Sequence, residues 1–211
     1  MTLPPSSFSP RRRMIAAMVA SSALWPGEHA RAQAARRLTP RQTEGPFYPV
    51  ELPRDSDFDL LRNGSLQYVQ GQPAWIEGNV IDIDGRPVAG ALVEIWQCDG
   101  AGHYHHPGDG NRADGAFQGF GKVQVDADGR YRFRTIRPVA YTGRAPHIHV
   151  KVKLGSRTVL TTQLYVQGDP ANTRDSAWRN LRDDADRAAV TAPFLPGGDG
   201  LRANYTIVVA A

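Results

Sequence analysis

From Trp75 onward, apolar and polar residues alternate with the two-residue period of half-buried strands. The stretch "WIEGNVIDIDGRPVAGALVEIWQ", 75–97, gives a strand-like run and a turn at Asp84-Gly85. A β-branched run through Val93, Ile95 and the aromatic Trp96 follows. "GKVQVDADGRYRFRTI" repeats the plan around a turn at Asp128-Gly129. "PHIHVKVKL" alternates over 146–154, and "SRTVLTTQLYV" and "NYTIVVA" supply two more strands. Only "DSAWRNLRDDADRAAV", 175–190, reads as helix, with Asp175 or Ser176 as its cap. The pattern predicts an all-β fold, an antiparallel β-sandwich over 75–211 with one short helix near 175–190. Hydrophobic residues make up 41% of the 211, enough to fill one core.

The segment before Trp75 lacks that alternation. Residues 35–74 are polar and proline-punctuated, with "TEGPFYP" at 43–49, and read as an extended arm lying over the domain. Residues 1–34 read as an export signal: Arg11-Arg12-Arg13, the apolar run Met14 to Leu24, then small-x-small cleavage sites ending at Ala32 and Ala34. The arginine pair resembles a twin-arginine signal, which implies an exported, periplasmic or secreted protein. The apolar run is too short for a membrane span. That segment holds +3 of the chain's formal +4, so the remainder is close to neutral. No basic stripe interleaved with aromatics argues for nucleic acid. With one cysteine, Cys98, the exported chain has no internal disulfide, and Cys98 is expected as a small buried apolar residue.

The candidate chemistry concentrates in "YTGRAPHIHV", 141–150. On a strand, His147 and His149 point to one face while Ile148, Val150 and Val152 point to the other. The apolar face must be core, so the histidine face opens to a cavity or to solvent. Lys151 and Lys153 continue it and suggest solvent further along. A same-face His-x-His pair suits a metal without naming it. Two completions compete. The loop "GHYHHPGDG" could add His103, His105 and His106 to a His-only zinc or copper site. Alternatively, Tyr104 and Tyr141 could bind as tyrosinates, hard anionic donors that favour Fe(III). Two phenolates and one hydroxide would balance three positive charges, with two neutral imidazoles completing the set.

Four segments, "TEGPFYP", "VEIWQCDGAGHY", "YTGRAPHIHVKV" and "TTQLYVQGDP", resemble the intradiol ring-cleavage dioxygenases, the group of the protocatechuate 3,4-, catechol 1,2- and hydroxyquinol 1,2-dioxygenases. The resemblance spans most of 39–170. It implies a prealbumin-like sandwich and a non-haem Fe(III) held by Tyr104, Tyr141, His147 and His149. Tyr141 and His149 would be axial, Tyr104 and His147 equatorial, and Tyr141 would leave when substrate chelates. Arg144, with Gln163 beside it, would stabilise charge on the substrate ring. Thr43, Gly45 and Pro46 would close the pocket. The implied substrates are a catechol and O2. Those relatives carry a longer insert between this tyrosine and the histidines, so the short spacing here implies a shorter loop and a more open pocket. Tyr48 and Trp96 read as packing residues, and "HPGDGNRADG" as a rim. Two other classes share parts of the pattern, a non-catalytic β-sandwich binding module and an iron-free pseudo-enzyme subunit. A homo-oligomer is compatible with the sequence.

Overall fold

A computed structural model describes residues 1–2 and 36–211. The export-signal segment therefore falls almost wholly outside the described residues. Strands dominate: β1 (Arg62–Asn63), β2 (Leu66–Gln67), β3 (Pro73–Ile81), β4 (Leu92–Trp96), β5 (Phe120–Gln124), β6 (Arg130–Ile136), β7 (His147–Leu154), β8 (Arg157–Val166), β9 (Thr191–Ala192), β10 (Leu195–Gly197), β11 (Gly200–Asn204) and β12 (Ile207–Val208). Among the described residues the α-helices are α1 (Ser176–Arg179) and α2 (Asp184–Ala189), with short 3-10 turns at Pro107–Asp109 and Asn172–Arg174. One sheet gathers β10, β11, β3, β12 and β6, and the other runs β5-β4-β7-β8-β9.

The core lies between the sheets. Ile148, Val150 and Val152 of β7, Val93 and Ile95 of β4, and Leu160 and Leu164 of β8 meet Ile76, Val80, Phe133 and Ile207 of the other sheet. Burying each such side chain stabilises by about 1.5–3 kcal/mol. The two anticipated turns form as the sequence requires. Gly85 and Gly129 adopt φ of 84° and 72°, conformations that only glycine reaches without strain. Asp82 and Asp126 brace these turns by accepting the backbone N–H groups of Arg86 and Arg130, both at 2.8 Å. Cys98 is fully buried as expected. Burial above all, then the Asp99 carboxylate, pushes its thiol up to about 12, so it is chemically inert.

Three expectations are corrected. The sheets are mixed rather than purely antiparallel, because β11 and β12 run parallel to β3 and β9 runs parallel to β8. The chain crosses the sheet end through the helical segment between β8 and β9, so it re-enters in the same direction. The single helix is two, because Asp183 sits at φ −151°, caps α2 through the backbone N–H of Asp186, and cannot continue a helix from α1. The arm is partly regular structure: it forms the β1–β2 hairpin and buries Leu60, Leu61 and Tyr68 in the core.

Candidate active site

The register of the second sheet builds the site. His149 on β7 lies between Trp96 on β4 and Gln163 on β8, and His147 lies opposite Tyr165. The Trp96 ring stacks on the His149 imidazole, centroids 4.8 Å apart and 8° from parallel. From the arm, Gly45 approaches at φ +72°, where an added Cβ would stand 3.2 Å from the imidazole Cε1. Any other residue there would press on the ring and strain the backbone. Lys151, two residues on, is buried rather than solvated: its Nζ pairs with Glu44 at 2.5 Å and lies 3.3 Å above the Tyr48 ring. Tyr48 in turn donates to the buried Glu94 at 3.0 Å, and Glu94 also pairs with Lys153 at 2.9 Å. The arm thus covers the histidine face that alternation alone would leave open.

The imidazoles are oriented and neutral. His147 Nδ1 lies 2.7 Å from the Ala145 carbonyl. A carbonyl only accepts, so this nitrogen bears the proton and Nε2 carries the lone pair. That Nε2 faces His149 Nε2 across 3.1 Å. Burial, then the charge of Arg144, holds His147 down to about 4. Burial, then His147 and Arg144, holds His149 well below the ordinary range. Two neutral imidazole nitrogens this close share either one proton or one cation. Their separation suits two adjacent donors on one ion with bonds of about 2.1 Å.

Two phenols complete the cluster. Tyr104 is buried, with its ring 5.0 Å from Tyr141 and 6.2 Å from His149. Its hydroxyl interacts with the Tyr141 hydroxyl but makes no well-aligned hydrogen bond, an expensive condition for a buried polar group. Burial, then the neighbouring Tyr141 phenol, raises its pKa well above the usual value. Tyr141 is half-buried, with its ring 5.4 Å from His147. Its pKa is raised by burial against the opposing charge of Arg144. It sits on a tight turn in which Thr142 and Gly143 have φ of 25° and 75°, closed by Arg144 N–H donating to the Tyr141 carbonyl at 2.7 Å. The loop is short, as its spacing implies, but the room this leaves is taken by Phe47 of the arm. Its ring stacks on Tyr104 at 4.6 Å and meets Tyr141 edge-on at 5.9 Å.

Arg144 is held in a second network. Its Nη2 donates to Gln163 Oε1 at 2.6 Å and its Nε to Asp175 Oδ2 at 2.8 Å. Gln163 donates onward to the Thr43 carbonyl at 3.0 Å, and Tyr165 Oη donates to Gln163 Oε1 at 2.9 Å. Gln42 Oε1 lies 3.0 Å from the same Tyr165 hydroxyl.

Of the residues singled out from sequence, Tyr104, Tyr141, His147 and His149 come together, and Arg144 and Gln163 bond to one another beside them. Thr43 touches Gln163 through its backbone, and Gly45 touches His149. Pro46 is exposed in the following turn. No hydrogen bond or ring contact ties it to the site among the described residues. The His-only metal site does not form. His105 Nε2 is engaged with the Phe117 carbonyl at 2.6 Å, His106 Nδ1 accepts the Gly108 N–H at 3.0 Å, and His103 faces Asp109 at 3.4 Å. Among the described residues, no three His, Cys, Asp or Glu side chains gather around a common point. The side chains nearest the imidazole pair that could add donors are the phenols of Tyr104 and Tyr141. The rim loop also braces the site, since Asp109 accepts the Tyr104 backbone N–H at 2.8 Å.

Sequence reasoning missed Asp175, read only as a helix cap, and also Tyr165, Gln42 and Phe47. Nothing along the chain pairs residue 144 with 175. The alternation of "TTQLYV" puts Tyr165 on the face of Gln163 and could have found it. Concavity would not have located the site either. A hollow of about 520 Å3 lies on the other sheet around Glu77, Asn79, Arg132 and Asn204. A smaller one of about 170 Å3 flanks Tyr104 and Trp96.

Comparison with known proteins matches residues 43–184 to a family model described as Dioxygenase. The protocatechuate 3,4-dioxygenase beta chain of Burkholderia cepacia is 37% identical over 158 residues, covering 69% of this chain and 66% of that one. The hydroxyquinol 1,2-dioxygenase of Corynebacterium glutamicum is 33% identical over 175 residues, covering 74% and 56%. Among solved structures, the dioxygenase domain of a dioxygenase–carbohydrate-binding protein fusion from Streptomyces sp. SirexAA-E superposes with a TM-score of 0.64. It is 32% identical and covers 82% of this chain and 97% of that one. These two curated relatives are longer, and the match spans 56–66% of their length. With the family model covering most of the chain and its tyrosines, arginine and paired histidines drawn to one place, this protein belongs to the intradiol ring-cleavage dioxygenase family.

Proposed function

We propose that this chain is an Fe(III)-dependent intradiol dioxygenase. It would open a catechol-type ring between its two hydroxyl-bearing carbons with O2, giving a cis,cis-muconate-type dicarboxylate. The observation that carries the reading is the facing pair of buried, neutral Nε2 atoms, 3.1 Å apart, beside the buried Tyr104 phenol and its Tyr141 neighbour. Tyr104, Tyr141, His147 and His149 would hold the metal. Both phenols have raised pKa values, so only a strongly charged cation would keep them ionised at neutral pH. Ferric iron bound there would supply the Lewis acidity that draws electron density from a chelated catechol ring and opens it to O2.

The protein's part is to place groups and move protons. Tyr141, the more exposed phenol, is the one able to swing aside for substrate, and its Oη would take a catechol proton. Arg144 keeps Nη1 without a partner among the described residues, while Nε and Nη2 are fixed. Nη1 is thus available to stabilise negative charge on the ring carbon that meets O2. Phe47 and Trp96 exclude water from the donors. We also infer export, with a mature chain beginning after Ala32 or Ala34.

Iron-loaded protein should be purple to burgundy, and oxygen uptake across substituted catechols identifies the substrate. A colourless protein that ignores catechols would instead be a binding module. Tyr141→Phe should weaken and shift the visible band and slow turnover by about tenfold or more, the scale of losing a positioned proton acceptor. An unchanged spectrum removes Tyr141 from the ligand set.

A further inference from the structure

Asp175 is fully buried and joins three parts of the molecule. Its Oδ2 accepts from Arg144 Nε and from the Ala145 backbone N–H, each at 2.8 Å. Its Oδ1 accepts the Trp178 backbone N–H at 3.0 Å, capping α1. The same Ala145 presents its carbonyl to His147 Nδ1 at 2.7 Å. A helix cap needs one oxygen and is usually wet. This carboxylate gives its other oxygen to an arginine on a different element and sits in the interior. Burial pushes its pKa up, but the hydrogen bonds from Arg144, Ala145 and Trp178 outweigh this, and it stays ionised.

The geometry decides what that charge does. A guanidinium is planar, with its donors in a fixed fork. Held at Nε by Asp175 and at Nη2 by Gln163, it cannot rotate in or out of its plane, so the direction of Nη1 is set. Without Asp175 only Nη2 would be held, by Gln163 and by the Tyr165 hydroxyl at 3.4 Å, and the group would keep a hinge there. The backbone bond to Ala145 fixes the first residue of the segment that carries His147. We propose that Asp175 is the positioning residue of this site, locking the Arg144 guanidinium in its working orientation and anchoring the peptide that sets the His147 tautomer. The proposal rests on the reading of Arg144 as the group facing substrate.

A double-mutant cycle on the metal-loaded protein tests it. Asp175→Asn should lower kcat by about tenfold, the low end for residues that orient a site's direct ligands, with the visible band retained and KM changed less than kcat. In an Arg144→Ala background the same substitution should change kcat by less than about twofold, because the group it positions is gone. Losses that multiply would overturn the proposal. A second measurement needs no variant. In wild-type protein free of paramagnetic metal, the Arg144 Nε–H should give a resolved, slowly exchanging proton signal, separate from the solvated arginines. Exchange as fast as theirs would overturn the positioning role. If Arg144→Ala itself leaves turnover unchanged, the substrate-facing reading of Arg144 fails instead, and the exchange measurement still decides whether Asp175 holds it.

Discussion

His149→Ala is expected to yield a colourless protein with turnover at background. The imidazole is fully enclosed by Trp96, His147 and Gly45, so no other side chain can swing in to replace it. Removing it leaves two phenols and one imidazole for a trivalent ion. Burial raises the Tyr104 pKa, so without a fully liganded cation beside it this phenol should stay un-ionised. Losing one direct donor should exceed the 10–100-fold loss of metal affinity that follows loss of an orienting neighbour. Iron content after dialysis should therefore fall to roughly a tenth of wild type or less. Metal analysis and the visible spectrum check this together. A His149→Ala protein that stays coloured and active would mean that the cation, if one binds, sits elsewhere.

Arg144→Ala is expected to do the opposite: keep the colour and lose the rate. None of the four proposed ligands is altered, and His147 keeps its bond to the Ala145 carbonyl. What disappears is the cation proposed to meet charge developing on the substrate ring. Removing a single preorganised electrostatic donor typically costs about 10²–10³-fold in kcat. Stability should fall as well. Asp175, fully buried, would keep only its two backbone donors, and a buried charge deprived of its partner is destabilising. Turnover is therefore to be measured well below the variant's own melting temperature. Full activity would take Arg144 out of the chemistry.

The sequence was informative where one strand carries its own logic. The His-x-His face of β7, its apolar reverse, and the Asp-Gly turns all follow from a period of two and from glycine's tolerance of positive φ. The tyrosines were legible because a phenol is an unusual companion for paired histidines and because their order matched a known family. Contacts between distant segments were not legible. The burial of Lys151 depends on Glu44 and Tyr48 folding across from the arm, and an exposed alternating strand would look the same in sequence. Asp175 carried a cap signal that was correct and concealed its second partner. The parallel strands near the C-terminus were missed for a related reason: alternation fixes which face a residue takes, never the direction in which a strand joins its sheet.

The arm has a consequence for how the protein is put together. Residues 42–48 are fastened along their length: Gln42 to Tyr165 and Thr161, the Thr43 carbonyl to Gln163, Glu44 to Lys151, and Tyr48 to Glu94. Gly45 is thereby pressed against His149. An ion held by the imidazole pair, as proposed, would lie beneath this strap on one side. Loosening the strap, by Lys151→Ala for example, should then speed both gain and loss of the metal. With the strap closed, the centre should surrender its metal to a chelator more slowly than in such a variant.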